Sequence, residues 1–307
     1  MAKIDDPIEF ELFKNAIFAI GDEMAVTVCR TTYSGVLRDN MDFSTALADA
    51  DGKMVAQGLT LPGHLGSIPA ALAVVVERFA GNIHPGDMFI MNDPFDGGMH
   101  LPDIFIFQPL FDGGRRVAFA ATISHHSDVG GRVPGSNASD STEIYQEGLR
   151  IPPLKLFDKG ARNETMWSLI EKNVRIPIQV MGDLRAQLAA CHIAEVQFGD
   201  LLRRYGADKV ALYMEEVIDY AERLTRAAVA ELPDGQWSFE DWIDDDGIDL
   251  GKPIRLFVTI TKSGDEMTVD WTGSSDQVKG AINSSLSFTV AHSVGAIRCV
   301  LPLNIPS

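Results

Sequence analysis

The sequence predicts an α/β protein of the mixed α+β kind: mixed sheets with flanking helices, and a helical segment in the middle of the chain. Three observations predict it. Residues 87–124 hold three runs rich in Ile, Phe and Val, separated by Gly- and Asp-containing turns, the pattern of sheet strands. Residues 7–28 repeat apolar side chains at helical spacing, and residues 181–231 are rich in Ala and Leu with alternating charges. Two regions are expected: 1–160, a mixed-sheet region carrying a candidate site, and 161–307, a helical hairpin plus strands that is incomplete at its C-terminus. The boundary between them is soft and falls near residues 155–180.

Taken in order, Ile8, Leu12, Ala16, Ile20, Met24 and Val28 form one helical stripe. Asp6 supplies an N-cap and Pro7 fits the first turn, where its missing N–H is no loss. Strands follow at 43–48 and 54–57 around the turn Asp49-Ala50-Asp51-Gly52. The glycine-rich piece GLTLPGHLGS leads into an apolar helix over 67–80, capped by Ser67. Strands are expected at 87–91, 104–110 and 115–124, the last two joined by Asp112-Gly113-Gly114. Residues 130–153 read as a long loop, which a compact protein keeps for function or covers with a partner. Helices at 181–205 and 208–231 are separated by Gly206. Strands at 236–243, 253–261 and 266–271 follow, then an apolar helix over 283–301. That helix is apolar on most of its surface, so something should cover it.

Bulk properties exclude several classes. A net charge of −17 argues against nucleic acid, which needs clustered Lys and Arg. No apolar run approaches the roughly 20 residues that span a bilayer, and the start MAKIDDPIEFELF has no signal core. A cytoplasmic protein with no membrane contact is expected. Cys29, Cys191 and Cys299 are odd in number and far apart, so they read as buried, inert thiols. Nucleotide loops of the GxxxxGK[ST] and GxGxxG types and the GxSxG elbow are absent.

Chemistry concentrates in residues 86–131, where Asp93, Asp96, His100, Asp103, His125, His126 and Asp128 interrupt apolar strands. His100 and Asp103 stand three apart in HLPD where a strand begins, and His125 ends a strand 22 residues after Asp103. Pairing those strands would bring the three together as ligands of a divalent metal, Zn, Mn or Fe, with Asp42 a candidate fourth. HxxD alone also occurs as an ordinary hydrogen-bonded pair. His125 and His126, as neighbours on a strand, face opposite sides, so one is a ligand and the other supports or packs. Asp103, His126 and Asp128 are the candidate catalytic residues, with Asp128 set either to orient a histidine or to cap a loop. Asn92, Asp93, Gly97 and Gly98 are candidate contacts for a small-molecule substrate, the alternative being a plain Asx turn. His64, His84, His192 and His292 sit in isolation and read as structural, His64 least so.

The runs NDPFDGGMHLPDIFIFQPLF (92–111) and SHHSDVGGRVPGS (124–136) resemble the hydantoinase B/oxoprolinase family. RDNMDFSTALADADGKMVAQG, LPGHLGSIPAAL, QVMGDLRAQLAAC and GAINSSLSF resemble it too, so the likeness covers essentially the whole chain. The resemblance implies the B-type subunit of an ATP-dependent enzyme that opens cyclic amides such as hydantoins, oxoproline or lactams. It implies an A-type partner subunit that uses ATP, not bound by this chain, to phosphorylate a carbonyl or amide oxygen. The family's metal ligands would fall on Asp42, His100, Asp103 and His125. Related subunits of acetone and acetophenone carboxylases supply an alternative activity, and a non-catalytic scaffold half of a split subunit supplies another. B-type subunits are usually longer, so a fragment, or a second chain completing the subunit, is expected.

Overall fold

The computed structural model describes residue 4 and residues 6–58, 60–302 and 305. The chain opens with α1 (Pro7–Thr31), whose cap Asp6 accepts from the amides of Ile8 and Glu9 at 2.9 and 3.1 Å. Its apolar stripe is slightly rotated from the expected one. Phe10, Phe13, Ile17, Ile20, Met24 and Val28 are buried, whereas Ile8 and Leu12 are exposed. After a turn of helix, α2 (Gly35–Arg38), the chain enters strands β1 (Phe43–Asp49) and β2 (Met54–Gln57). Helices α3 (Pro62–Leu65) and α4 (Ile68–Arg78) precede β3 (Met88–Met91), β4 (Asp103–Asp112) and β5 (Arg115–His125).

Beyond the long loop lie β6 (Leu154–Asp158), β7 (Ala161–Arg162), α5 (Glu164–Asn173), α6 (Pro177–Tyr205) and α7 (Ala207–Ala230). Strands β8 (Gly235–Ile243), β9 (Ile254–Ser263) and β10 (Glu266–Asp270) follow, and α8 (Leu286–Arg298) comes last. The α+β class is as expected. Sequence reading missed α5 and the β6–β7 hairpin, whose short mixed stretches carry little periodicity.

Seven strands form one sheet in the order β2-β1-β5-β4-β3-β6-β7. Every pairing described in it is antiparallel, where a mixed sheet was expected. Side chains alternate between its faces. Ile104, Ile106 and Leu110 of β4 face a core built with α1, α5, α6 and α7, while Phe105 and Phe107 join α4 residues Ile68, Leu72 and Val75 on the other side. Because the first core runs continuously from Phe10 to Val217, the expected division at residue 160 does not part it. Buried Asp183 of α6 helps lock the halves, accepting from Thr32 Oγ1 and from the amides of Tyr33 and Ser34 beyond the end of α1.

Strands β8–β10 make a separate three-stranded antiparallel sheet with Trp237, Phe239 and Trp242 exposed. From there the chain returns to the large sheet through residues 271–285 and α8. Helix α8 leaves Leu286 80% and Val294 59% exposed, in keeping with its all-round apolar sequence. Among the described residues, no helix is long and apolar enough to cross a membrane. The thiols differ from expectation: Cys191 is buried and pushed up to about 12 by burial, but Cys29 is half-buried and Cys299 exposed.

Candidate metal centre

Strand register builds the site. Asp103 opens β4 opposite His125 at the end of β5, and both point to the α4 side of the sheet, as Phe105 and Ile123 do. His100 reaches the same point from the turn before β4, its carbonyl accepting from the amide of Asp103 at 3.0 Å. His100 Nε2, His125 Nδ1 and Asp103 Oδ1 then form a nearly equilateral triangle. Nε2 lies 3.0 Å from Oδ1, Nδ1 lies 3.1 Å from Oδ1, and the two nitrogens are 3.1 Å apart.

Donors held about 2.1 Å from one ion stand roughly 3 Å apart when their bonds are at right angles, so the triangle has the spacing of one face of an octahedron. Two imidazole nitrogens and one carboxylate oxygen turned to a single point are donors that such an ion takes. The donor set therefore fits a divalent transition metal. Asp42 precedes β1 and is tied in by the amide of His125, which donates to its carbonyl at 3.0 Å.

Asp103 dominates the electrostatics of the cluster. Burial raises the Asp103 carboxyl, but hydrogen bonds from His100 and His125 and nearby imidazoles hold it well below the usual carboxylate range. Burial lowers His100, yet the hydrogen bond and charge of Asp103 outweigh this and raise it.

The cluster forms one wall of a cavity of ≈ 410 Å³. Leu61, Met99, Ile282 and Phe288 give it apolar surface, and Asn283, Ser284 and Ser285 bring polar groups to its lining. Sequence reading missed two of its residues. His64, on α3, places Nε2 3.5 Å from Asp42 Oδ1 and 3.6 Å from Asp103 Oδ2. His292, on α8, also lines the cavity. The glycines flanking His64 were the available signal: each admits a close approach of α8.

Six other candidates have different surroundings. His126, one residue past His125, lies on the far face, fully buried, with Nε2 3.0 Å from Gln187 Oε1 of α6. It has no place at the cluster, because adjacent residues on extended backbone project to opposite sides. Asp128 orients neither histidine: its carboxylate accepts from the Arg175 amide at 2.6 Å and the Arg175 guanidinium at 2.8 Å.

Asn92 is a buried brace, donating to the Leu101 and Leu149 carbonyls and accepting from the Ile151 amide. Asp93 accepts from the Phe95 amide and from Arg150. Gly97 and Gly98 likewise serve structure. With φ at 94°, Gly97 needs no side chain, and a Cβ there would fall 2.8 Å from the Ala70 carbonyl carbon. Their carbonyls accept from Ser287 and Ser285, so this turn seats α8, and none of these residues of the 92–98 turn lines the cavity.

Residues 6–307 match the family model for hydantoinase B/oxoprolinase. The chain is similar to a protein of Pseudomonas sp. (strain NS671) named provisionally as the B component of a D-/L-hydantoinase, 32% identical over 294 residues covering 93% of this chain and 50% of that protein. It superimposes on the ATP-dependent caprolactamase from Pseudomonas jessenii with a TM-score of 0.91 at 34% identity, over 98% of this chain and 52% of that one. Acetone carboxylase shares the fold, with a TM-score of 0.91 at 19% identity over 98% of this chain and 41% of that one. The chain spans about half the length of the curated relatives nearest in size to it.

Proposed function

Because this chain belongs to the hydantoinase B/oxoprolinase family, we propose that it is the metal-dependent catalytic part of an ATP-dependent cyclic amide hydrolase. Its substrate is a hydantoin, oxoproline or lactam ring activated by phosphorylation on a partner A-type subunit. The single observation that carries this reading is the convergence of His100, Asp103 and His125 on one point at a cavity wall. Those three residues hold a Zn, Mn or Fe ion, with Asp42 beside them. When bound, such an ion acidifies water and polarises a carbonyl oxygen. The chain's own residues do the rest. Asp103 keeps its charge in a buried position, Leu61, Met99 and Phe288 offer apolar surface to the ring, and Asn283 to Ser285 face the substrate's polar edge. ATP is spent on the partner, which agrees with the absence of nucleotide loops here. The exposed apolar face of α8 and the Trp237–Phe239–Trp242 surface suit protein partners, either the A-type subunit or a second chain completing this one.

A second reading, a ketone carboxylase subunit, is favoured by the equal TM-score to acetone carboxylase. There the same cavity would bring an enol phosphate to a carboxyl donor. A third reading is a non-catalytic scaffold subunit, in which the His100–Asp103–His125 cluster serves structure alone. Elemental analysis of the purified chain separates them first. About one metal ion per chain, lost in His100→Ala and His125→Ala, is the expected result. In the complex with its A-type partner, His100→Ala should abolish ATP-coupled ring opening while leaving assembly intact. Wild-type protein without metal, or turnover that survives metal loss, overturns the proposal. Consumption of bicarbonate with a ketone in place of ring opening selects the carboxylase.

A further inference from the structure

His64 is 4% exposed, and its Nε2 faces two carboxylates at once, Asp42 Oδ1 at 3.5 Å and Asp103 Oδ2 at 3.6 Å. A nitrogen lone pair between two anionic oxygens is repelled by both, so Nε2 carries the hydrogen. Nδ1 is buried without a hydrogen-bond partner, an unusual cost for a ring with a purely structural task.

Three separate elements hold the backbone that carries the ring. Its carbonyl accepts from Ser67 Oγ at 2.7 Å at the start of α4, and Ser44 Oγ of β1 donates to the Leu61 carbonyl at 2.9 Å. The flanking glycines press on α8, where a Cβ on Gly63 would lie 2.9 Å from His292 Cε1 and one on Gly66 would lie 2.5 Å from Ala291 Cα.

We propose that His64 is a positioning residue of the metal centre: its Nε2–H aligns Asp42 and the second oxygen of Asp103, leaving Asp103 Oδ1 for the ion. Carboxylates and imidazoles that bind metals depend on such outer partners, whose loss weakens metal binding about 10- to 100-fold. Through the glycine contacts, the seating of α8 sets the position of His64 and hence of Asp42. The inference rests on reading the cluster as a metal site.

The test measures Mn and Zn affinity of the full chain by chelator competition, and the visible spectrum of the Co(II)-substituted form. Variants are His64→Phe, which fills the space without an N–H, and His64→Gln, which restores an N–H donor. Folding is checked by circular dichroism, and His64→Ala replaces the Phe variant if that fails to fold. The expected result is affinity lowered about 10- to 100-fold in His64→Phe, restored to within about 3-fold in His64→Gln, with an unchanged Co(II) spectrum in His64→Gln. Wild-type affinity in His64→Phe overturns the proposal. So does a His64→Gln variant as weak as His64→Phe with an altered Co(II) spectrum, which would make His64 a ligand. A wild-type chain that binds no metal fails the metal reading itself, a result distinct from either.

Discussion

Two adjacent histidines with opposite duties make the clearest case at the scale of single residues. His125 and His126 differ by one step along the chain, yet one reaches Asp103 and the other Gln187. His126→Ala should therefore leave metal content at the wild-type level, whereas His125→Ala removes it. The cost of His126→Ala falls on stability. Gln187 Oε1 loses its buried partner, which should lower the unfolding free energy by about 1–3 kcal/mol in urea titration. Burial also keeps the His126 pKa below its ordinary value, so this ring packs as neutral imidazole. Much of this was legible beforehand, since strand alternation requires that the pair divide. Which histidine faced the cluster depended on the register of β4 against β5. His64 was not legible, because its relation to Asp42 and Asp103 is made entirely by tertiary packing between residues that no local pattern links.

Among the elements, the returning segment before α8 depends on one carboxylate. Buried Asp246, in the turn after β8, accepts from the amides of Asp249, Gly280 and Ile248 at 2.6, 3.0 and 2.9 Å. These bonds to the ionised form hold its carboxyl down to about 2. The unfolded chain protonates the same group near 3.9. Folded protein therefore takes up fewer protons as pH falls between those values, and stability present above about pH 4 is lost on the way to pH 2. Asp246→Asn lacks that contribution, so its stability should fall less than wild type's between pH 5 and pH 2.5, measured by urea unfolding. At pH 7 the variant should also show faster amide exchange over residues 278–285.

The long strands and helices were readable because their period persists for many residues. Helices α2 and α3 and the β6–β7 hairpin were not, because each is too short to show a period and is held by what packs on it. The turn at Asn92–Gly98 was recognised as tight. Its task of seating α8 was invisible without the 190-residue separation between Gly97 and Ser287 being closed.

For the molecule as a whole, the large core unites regions that the sequence suggested were separate. Phe13 of α1 is fully buried, with its ring 5.7 Å from Tyr205 at the end of α6 and 5.4 Å from Tyr213 of α7. Phe13→Ala should cost about 3–5 kcal/mol by the usual cavity penalty. Because the same core backs the strands that carry Asp103 and His125, far-ultraviolet circular dichroism and metal release should follow one transition in that variant. Release of metal well before loss of helix would show the two regions to be independent. The composition had already predicted a substantial core, but the path of that core across residue 160 required the fold.

The arrangement of the cavity has a consequence for how its chemistry can diversify. The wall that carries Asp103 and His125 is fixed by the register of two central strands, where any slip would scramble the whole sheet. Another part of the lining comes from residues 281–285 and helix α8, which meet the rest through serine and glycine contacts. The two sides therefore tolerate change differently: a slip in β4 or β5 would part Asp103 from His125, whereas residues 281–290 can vary as long as Ala291 and His292 keep their close approach to Gly66 and Gly63.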